Sequence, residues 1–139
     1  SRDFIFAGDP EGGFIFPRFQ AMFDAMVSLG KLLELMAAQG VKLSELRAQL
    51  PQRHKVRLDV SCPWERKGAL MRHLHAETAG QSVDNLDGIK VFTDSAWVLV
   101  LPDTFAPTVH VYAESPDPDR ANELASQYAH HVEELQQRE

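Results

Sequence analysis

The sequence predicts an α+β fold: an antiparallel sheet with two helices packed on one face, preceded by a piece of a separate α/β unit. Three observations predict it. From residue 54 onward the chain carries four short strand-like runs, and in the first and last of these apolar and polar residues alternate, the period of a half-buried strand. Two longer stretches in the same region repeat their apolar residues every three or four positions, the period of an amphipathic helix. The last three strand-like runs are joined by connections too short for a crossover helix, which makes them antiparallel neighbours.

Taken in order, Phe4-Ile5-Phe6 and Phe14-Ile15-Phe16 flank the Gly- and Pro-containing stretch Ala7 to Gly13, so the opening reads strand, loop, strand. Phe19, Met22, Phe23, Met26, Val27, Leu33, Met36 and Ala37 then build one helical face, and Gly40 stands where a glycine stop belongs. Ser44 is expected to cap a short helix that Pro51 ends. His54 to Val60 predicts a strand. Pro63 at a first helical position predicts a helix over about residues 64–79, with Trp64, Ala69, Leu70 and Leu74 toward the core and Gly80 as its stop. Strands follow over 88–92, 96–101 and 108–114, the last with Val109, Val111 and Ala113 on one face. Asp117 as N-cap and Pro118 after it open the final helix, whose inner side carries Ala121, Leu124, Ala125, Tyr128, Val132 and Leu135. The change of texture near Gln52 divides the chain into residues 1–52 and 53–139.

Composition narrows the function classes. Hydrophobic residues make up 44% of the 139 positions and charged residues 24%, a balance that suits a packed domain. Fourteen Lys and Arg against 20 Asp and Glu give a formal net charge of −6, which argues against nucleic-acid binding. No apolar run approaches the roughly 20 residues that span a bilayer, so no membrane role is expected. The single cysteine, Cys62, excludes an internal disulfide framework and a cysteine-based zinc site, and fits a reducing cytoplasm. It precedes Pro63 at a helix start, where a thiol pKa can fall, but no local motif supplies a nucleophilic site. His73 and His75 diverge by about 200° on a helix, and His130 and His131 are adjacent, so neither pair makes a metal site. Asp117, Asp119 and Glu123 read as favourable charge at a helix N-terminus, without the spacing of a Ca²⁺ loop. Trp64 and Trp97 read as core aromatics. With neither an initiator Met nor a signal peptide, the chain is expected to be cut from a longer polypeptide.

Three stretches carry a resemblance when taken together. Gly8-Asp9-Pro10-Glu11-Gly12-Gly13 precedes the aromatic run Phe14-Ile15-Phe16. Leu86-Asp87-Gly88-Ile89-Lys90-Val91 opens a strand, and Trp97-Val98-Leu99-Val100 runs into Leu101-Pro102-Asp103-Thr104-Phe105-Ala106-Pro107. In this order and spacing they resemble the α-D-phosphohexomutases, the family of phosphomannomutase and phosphoglucomutase. The first is similar to the family's sugar-binding loop, G-E-x-S-G-G or G-E-x-S-G-H. The second is similar to the strand start L-D-G-V/I-K/R-V, and the third occupies the place of the phosphate-binding loop R-x-S-G/N-T-x-P. Each motif alone is weak; the resemblance covers nearly the whole chain. It implies that residues 1–52 are the end of the family's third domain and that residues 53–139 are its TATA-binding-protein-like fourth domain.

The resemblance also implies a site, with departures. Gly8, Asp9, Glu11 and Gly12 fall on the sugar loop, where Asp9 replaces a longer glutamate and Glu11 a serine. On the phosphate loop, Leu101 takes the place of the arginine, Asp103 of the serine and Phe105 of the threonine, with Thr104 between them and Pro107 retained. Leucine offers no donor, and an ionised Asp103 repels phosphate. The expectation is a degenerate phosphate cradle and an altered sugar loop. The family's phosphoserine and magnesium-binding aspartates lie in earlier domains, so no catalytic residue and no cofactor are expected in this chain, with magnesium expected in the parent. The first functional expectation is a non-catalytic module of a larger sugar-phosphate or nucleotide-sugar enzyme, such as a mannose-1-phosphate guanylyltransferase, because L-P-D in place of R-x-S resembles that branch. The second is the C-terminal part of a working phosphomannomutase or phosphoglucomutase that contacts sugar through Asp9 and Glu11. A third is a plain interaction module. The expected partners are upstream domains of the same polypeptide and a phosphosugar. The aromatic helix face of Phe19, Phe23 and Met26 is expected to pack on the second unit or on another copy of the chain.

Overall fold

The computed structural model describes residues 4–9 and 12–138. Pro10 and Glu11, both on the sugar-loop stretch, lie outside the described residues. The chain divides into two compact units, residues 1–50 and 51–139.

In the first unit β1 (Ala7–Gly8) and β2 (Phe14–Ile15) pair antiparallel, Ala7 opposite Ile15 and Gly8 opposite Phe14. Pairing starts one step after the Phe4–Phe6 run expected to be a strand. The Phe6 ring instead packs against the rings of Phe14 and Phe16, with centroids 5.7 and 5.3 Å away. Helix α1 spans Ala25–Gln39. It begins later than the apolar spacing predicts, because the Asp24 carboxylate accepts from the Val27 N–H at 2.9 Å and fixes the first turn there. Phe19, Met22 and Phe23 therefore precede the helix; the N–H groups of Phe19 and Gln20 both donate to the Phe16 carbonyl. Gly40, at φ 65°, ends the helix as expected. The short α2 (Leu43–Gln49) is capped from Lys42, whose N–H donates to the Glu45 carboxylate at 2.9 Å; Ser44 lies inside the helix and is not its cap. No residue of α1 or α2 is buried, and Met26 is 80% exposed.

The second unit runs β3 (His54–Ser61), α3 (Trp64–Glu77), β4 (Val83–Asp84), β5 (Ile89–Phe92), β6 (Trp97–Pro102), β7 (Thr108–Ser115) and α4 (Pro118–Leu135). Its sheet is antiparallel throughout, in the order β3-β7-β6-β5-β4. Alternation sends Val60, Ile89, Val91, Val98, Val100, Val109, Val111 and Ala113 to one face. There they meet Leu70 and Leu74 of α3 and Leu124, Ala125, Val132 and Leu135 of α4. Each fully buried Val or Leu is worth about 1.5–3 kcal/mol over exposure, so this face holds the unit together. Both helices cover that one face, α4 across β3 and β7 and α3 beside β5, as the sequence predicts. The two-residue edge strand β4 was too short to show a period.

Three local details differ from expectation. Pro63 (ψ 146°) is the N-cap of α3 and not its first helical residue. Trp64 is 48% exposed, while Lys67 is buried beneath it. The reason is a cation–π contact, the Lys67 Nζ lying 3.8 Å from the Trp64 ring centroid. Trp97 is half-buried under Lys90 in the same manner, at 3.9 Å.

Candidate functional site

The loop over residues 103–107 joins β6 to β7, and one carboxylate organises it. Asp103 Oδ1 accepts from the backbone N–H groups of Phe105 at 2.6 Å and Ala106 at 2.8 Å, an Asx turn in which the side chain stands in for backbone. Its Oδ2 lies 2.8 Å from His110 Nε2. The other ring nitrogen, Nδ1, lies 2.8 Å from Asp59 Oδ1. Arg57 completes the line, donating to Asp59 through Nε at 2.9 Å and through a terminal nitrogen at 3.3 Å. That terminal nitrogen also lies 3.2 Å from His110 Nδ1.

The register explains the line. Asp59 pairs with His110 across β3 and β7, and Leu101 pairs with His110 across β6 and β7. Arg57, Asp59, Leu101 and His110 therefore share the face opposite the helices. The two loop amides, and after them His110, hold the Asp103 carboxyl at about 2, well below its usual value. The Arg57 hydrogen bond, and after it His110, lowers Asp59 as well.

Behind the loop, Lys67 Nζ donates to the carbonyls of Asp103, at 2.6 Å, and Ala106. The Cys62 N–H donates to the Pro107 carbonyl at 2.8 Å. Cys62 itself is fully buried, and that burial pushes its thiol up, with Lys67 and Arg66 offsetting part of the effect. The helix-start thiol is thus a packed core residue whose pKa moves the opposite way from activation. Leu101 is half-buried on the strand, whereas Thr104, Phe105 and Pro107 are exposed.

In the first unit the Asp9 carboxylate accepts from the Gly13 N–H at 2.7 Å, and the Asp9 N–H donates to the Gly13 carbonyl at 3.0 Å. Asp9 thereby closes the β1–β2 turn, with Gly12 at φ 92°, where glycine is favoured. Gly8 lies in β1; Glu11 is outside the described residues.

Sequence reasoning missed His110, Asp59 and Lys67. Alternation along β7 places His110 outward, but its partner Asp59 is 51 residues away and depends on the strand pairing. Lys67 did leave a signal: it lies three and seven residues before Leu70 and Leu74, on their apolar face.

Among the described residues no group of three or more His, Cys, Asp or Glu is placed to hold a metal ion. The carboxylates of Asp103 and Asp59 are both turned onto N–H donors. Among those residues, no helix is long and apolar enough to cross a membrane.

Comparison with known proteins agrees with this fold. Residues 1–54 match the sequence family described as phosphoglucomutase/phosphomannomutase, alpha/beta/alpha domain III. A probable phosphoglucosamine mutase of Methanopyrus kandleri is 33% identical over 126 residues, covering 89% of this chain and 28% of that protein. A phosphoglucomutase/phosphomannomutase of Thermococcus kodakarensis is 31% identical over 117 residues, covering 84% of this chain and 26% of its own length. The chain thus spans little more than a quarter of these relatives. A crystal structure of a phosphoglucomutase/phosphomannomutase family protein from Burkholderia thailandensis shares the fold, with a TM-score of 0.76 over 96% of this chain and 29% of that one, at 19% identity. The chain belongs to the α-D-phosphohexomutase family, in which it corresponds to the C-terminal region.

Proposed function

We propose that the chain is a degenerate phosphohexomutase module, non-catalytic by itself, within a larger sugar-phosphate or nucleotide-sugar enzyme. A mannose-1-phosphate guanylyltransferase is the parent that the L-P-D sequence favours. The observation that carries the reading is the Asp103 carboxylate seated on the amides of Phe105 and Ala106. A phosphate arriving from solvent loses translational freedom on binding, whereas the tethered carboxylate does not. It would also have to displace a group of its own charge, and Leu101 supplies none of the forked donors that an arginine would. Magnesium and the reacting serine then belong to upstream domains of the same polypeptide, and those domains are the partners that cover the exposed apolar surface of α1. The work of such an enzyme places it in the cytoplasm.

A second reading, the C-terminal part of a working mutase, draws on the similarity to proteins named as mutases and on the Asp9-to-Gly13 turn, which keeps a carboxylate in the sugar loop. Titration with mannose 1-phosphate, glucose 1-phosphate and a hexose bisphosphate, followed through backbone amide shifts, separates the two. The degenerate-module reading predicts no saturable shift at Phe105 or Ala106 with ligand up to about 10 mM. Saturation there with a Kd near 1 mM, about 4 kcal/mol of binding, supports the working mutase.

A further inference from the structure

Among the described residues β3 is the outermost strand of its sheet, with β7 on one side and no strand on the other. We propose that this edge is a dimer interface. There β3 pairs antiparallel with β3 of a second copy about a two-fold axis at Leu58, and the two five-stranded sheets run on as one.

The Cys62 N–H donates to the Pro107 carbonyl at 2.8 Å, in step with the Ser61–Thr108 pairing. Ladder bonds of an antiparallel pair recur at every second residue, so Val60, Leu58 and Val56 also turn their N–H and C=O groups onto β7. The backbone groups of Lys55, Arg57, Asp59 and Ser61 therefore point the other way, along an edge eight residues long. Charged side chains on such an edge ordinarily keep copies apart. Here they select a register. Centred on Arg57 or on Asp59, the pair would set that residue against its own copy. Centred on Val56 it would set Lys55 against Arg57, and centred on Val60 it would run Arg57 past the end of the strand, against Pro63. Centred on Leu58, it sets Arg57 opposite Asp59 of the second copy twice, by symmetry, and Lys55 opposite Ser61, with no like charges facing.

Arg57 and Asp59 already meet within one chain at 2.9 Å, and their side chains stay 46% and 51% exposed. Each can exchange one such partner for another while His110 keeps its bond to Asp59. On the helix-covered face the same register brings Leu58 against Leu58 and Val56 against Val60; Val56 and Leu58 are only half-buried in the single chain. Helix α4 lies across β3 and β7, so two strand spacings, about 8–10 Å, separate the paired α4 helices, the distance of packed helices.

The test is sedimentation velocity and amide hydrogen exchange on the 139-residue chain, from about 5 to about 500 µM. We expect dimers to form across this range and the amides of Lys55, Arg57, Asp59 and Ser61 to become protected as they do. Arg57→Asp and Asp59→Arg each make both cross-strand pairs repulsive, and each should weaken association at least about tenfold. Mixed in equal amounts, the two variants face each other with opposite charges at both pairs and should associate as tightly as the unaltered chain. A chain that stays monomeric, or protection of these amides that does not change with concentration, overturns the proposal. So does a dimer indifferent to both substitutions, whose contact lies elsewhere, as on the exposed apolar residues of α1. Weakening without recovery in the mixture also overturns it, because the charges are then off this register. Should either variant lose its native amide dispersion, the concentration dependence of exchange in the unaltered chain decides.

Discussion

A Gly88→Ala substitution is expected to cost the second unit about 2–4 kcal/mol, seen as a lower denaturation midpoint with the slope unchanged. Gly88 sits at φ 126°, a conformation that L side chains rarely adopt. A Cβ there would lie 2.5 Å from the Val100 carbonyl oxygen and 3.3 Å from the Leu101 Cα, both backbone atoms of β6 that cannot swing away. The glycine of the Asp87-Gly88-Ile89 motif is thus what lets β5 begin tight against the strand that leads into the phosphate-loop position. Gly68 is the control. It lies inside α3, where a Cβ meets only the end of the Arg72 side chain at 3.4 Å, so Gly68→Ala should stabilise by about 0.5–1 kcal/mol. A loss below about 1 kcal/mol for Gly88→Ala would show that β5 can shift away from β6.

Lys67→Met should have a comparable effect by a different route. Methionine keeps the stem beside Trp64 but leaves the carbonyls of Asp103 and Ala106 without their charged donor. Two partly buried acceptors stripped in this way cost about 2–4 kcal/mol together. The loss should be local first: hydrogen exchange of the Asp103, Ala106 and Thr108 amides should speed up more than that of the central strands. A variant that keeps its midpoint within about 0.5 kcal/mol, with the loop amides still protected, would mean that Lys67 merely snorkels past the loop.

The sheet and both helices of the second unit were legible because alternation and helical spacing are local signals, and burial follows them directly. Val109, Val111 and Ala113 show it plainly: the period of two that marks them as one face is the face that meets α3 and α4. The first unit was harder to read. The apolar spacing of its helix ran back through Phe19 to Phe23 without a break, and only the side-chain bond of Asp24 marks the true start. The site was half legible. The positions of Leu101, Asp103 and Phe105 followed from motif order, and like-charge repulsion from Asp103 was foreseeable. That Asp103 turns inward to accept from its own loop was not, because this depends on loop geometry and on His110 reaching it from β7. A line of charge running Arg57, Asp59, His110, Asp103 exists only once three strands are in register.

Whether the Asp103 carboxylate occupies the loop amides is read by following its side-chain carboxyl carbon and the Phe105 and Ala106 amides from about pH 6 down to about pH 1.5. The bonds that hold Asp103 lower its folded pKa to about 2 from 3.8. A depressed carboxylate contributes stability that is present above the unfolded pKa and disappears as pH falls through the folded one, so loop closure should persist below pH 3.8 and fail near pH 2. One shared midpoint near 2 is expected for the carboxyl carbon and both amides. A carboxyl carbon that titrates near its ordinary 3.8 while the two amides stay still would contradict it, and would leave the loop amides free for phosphate.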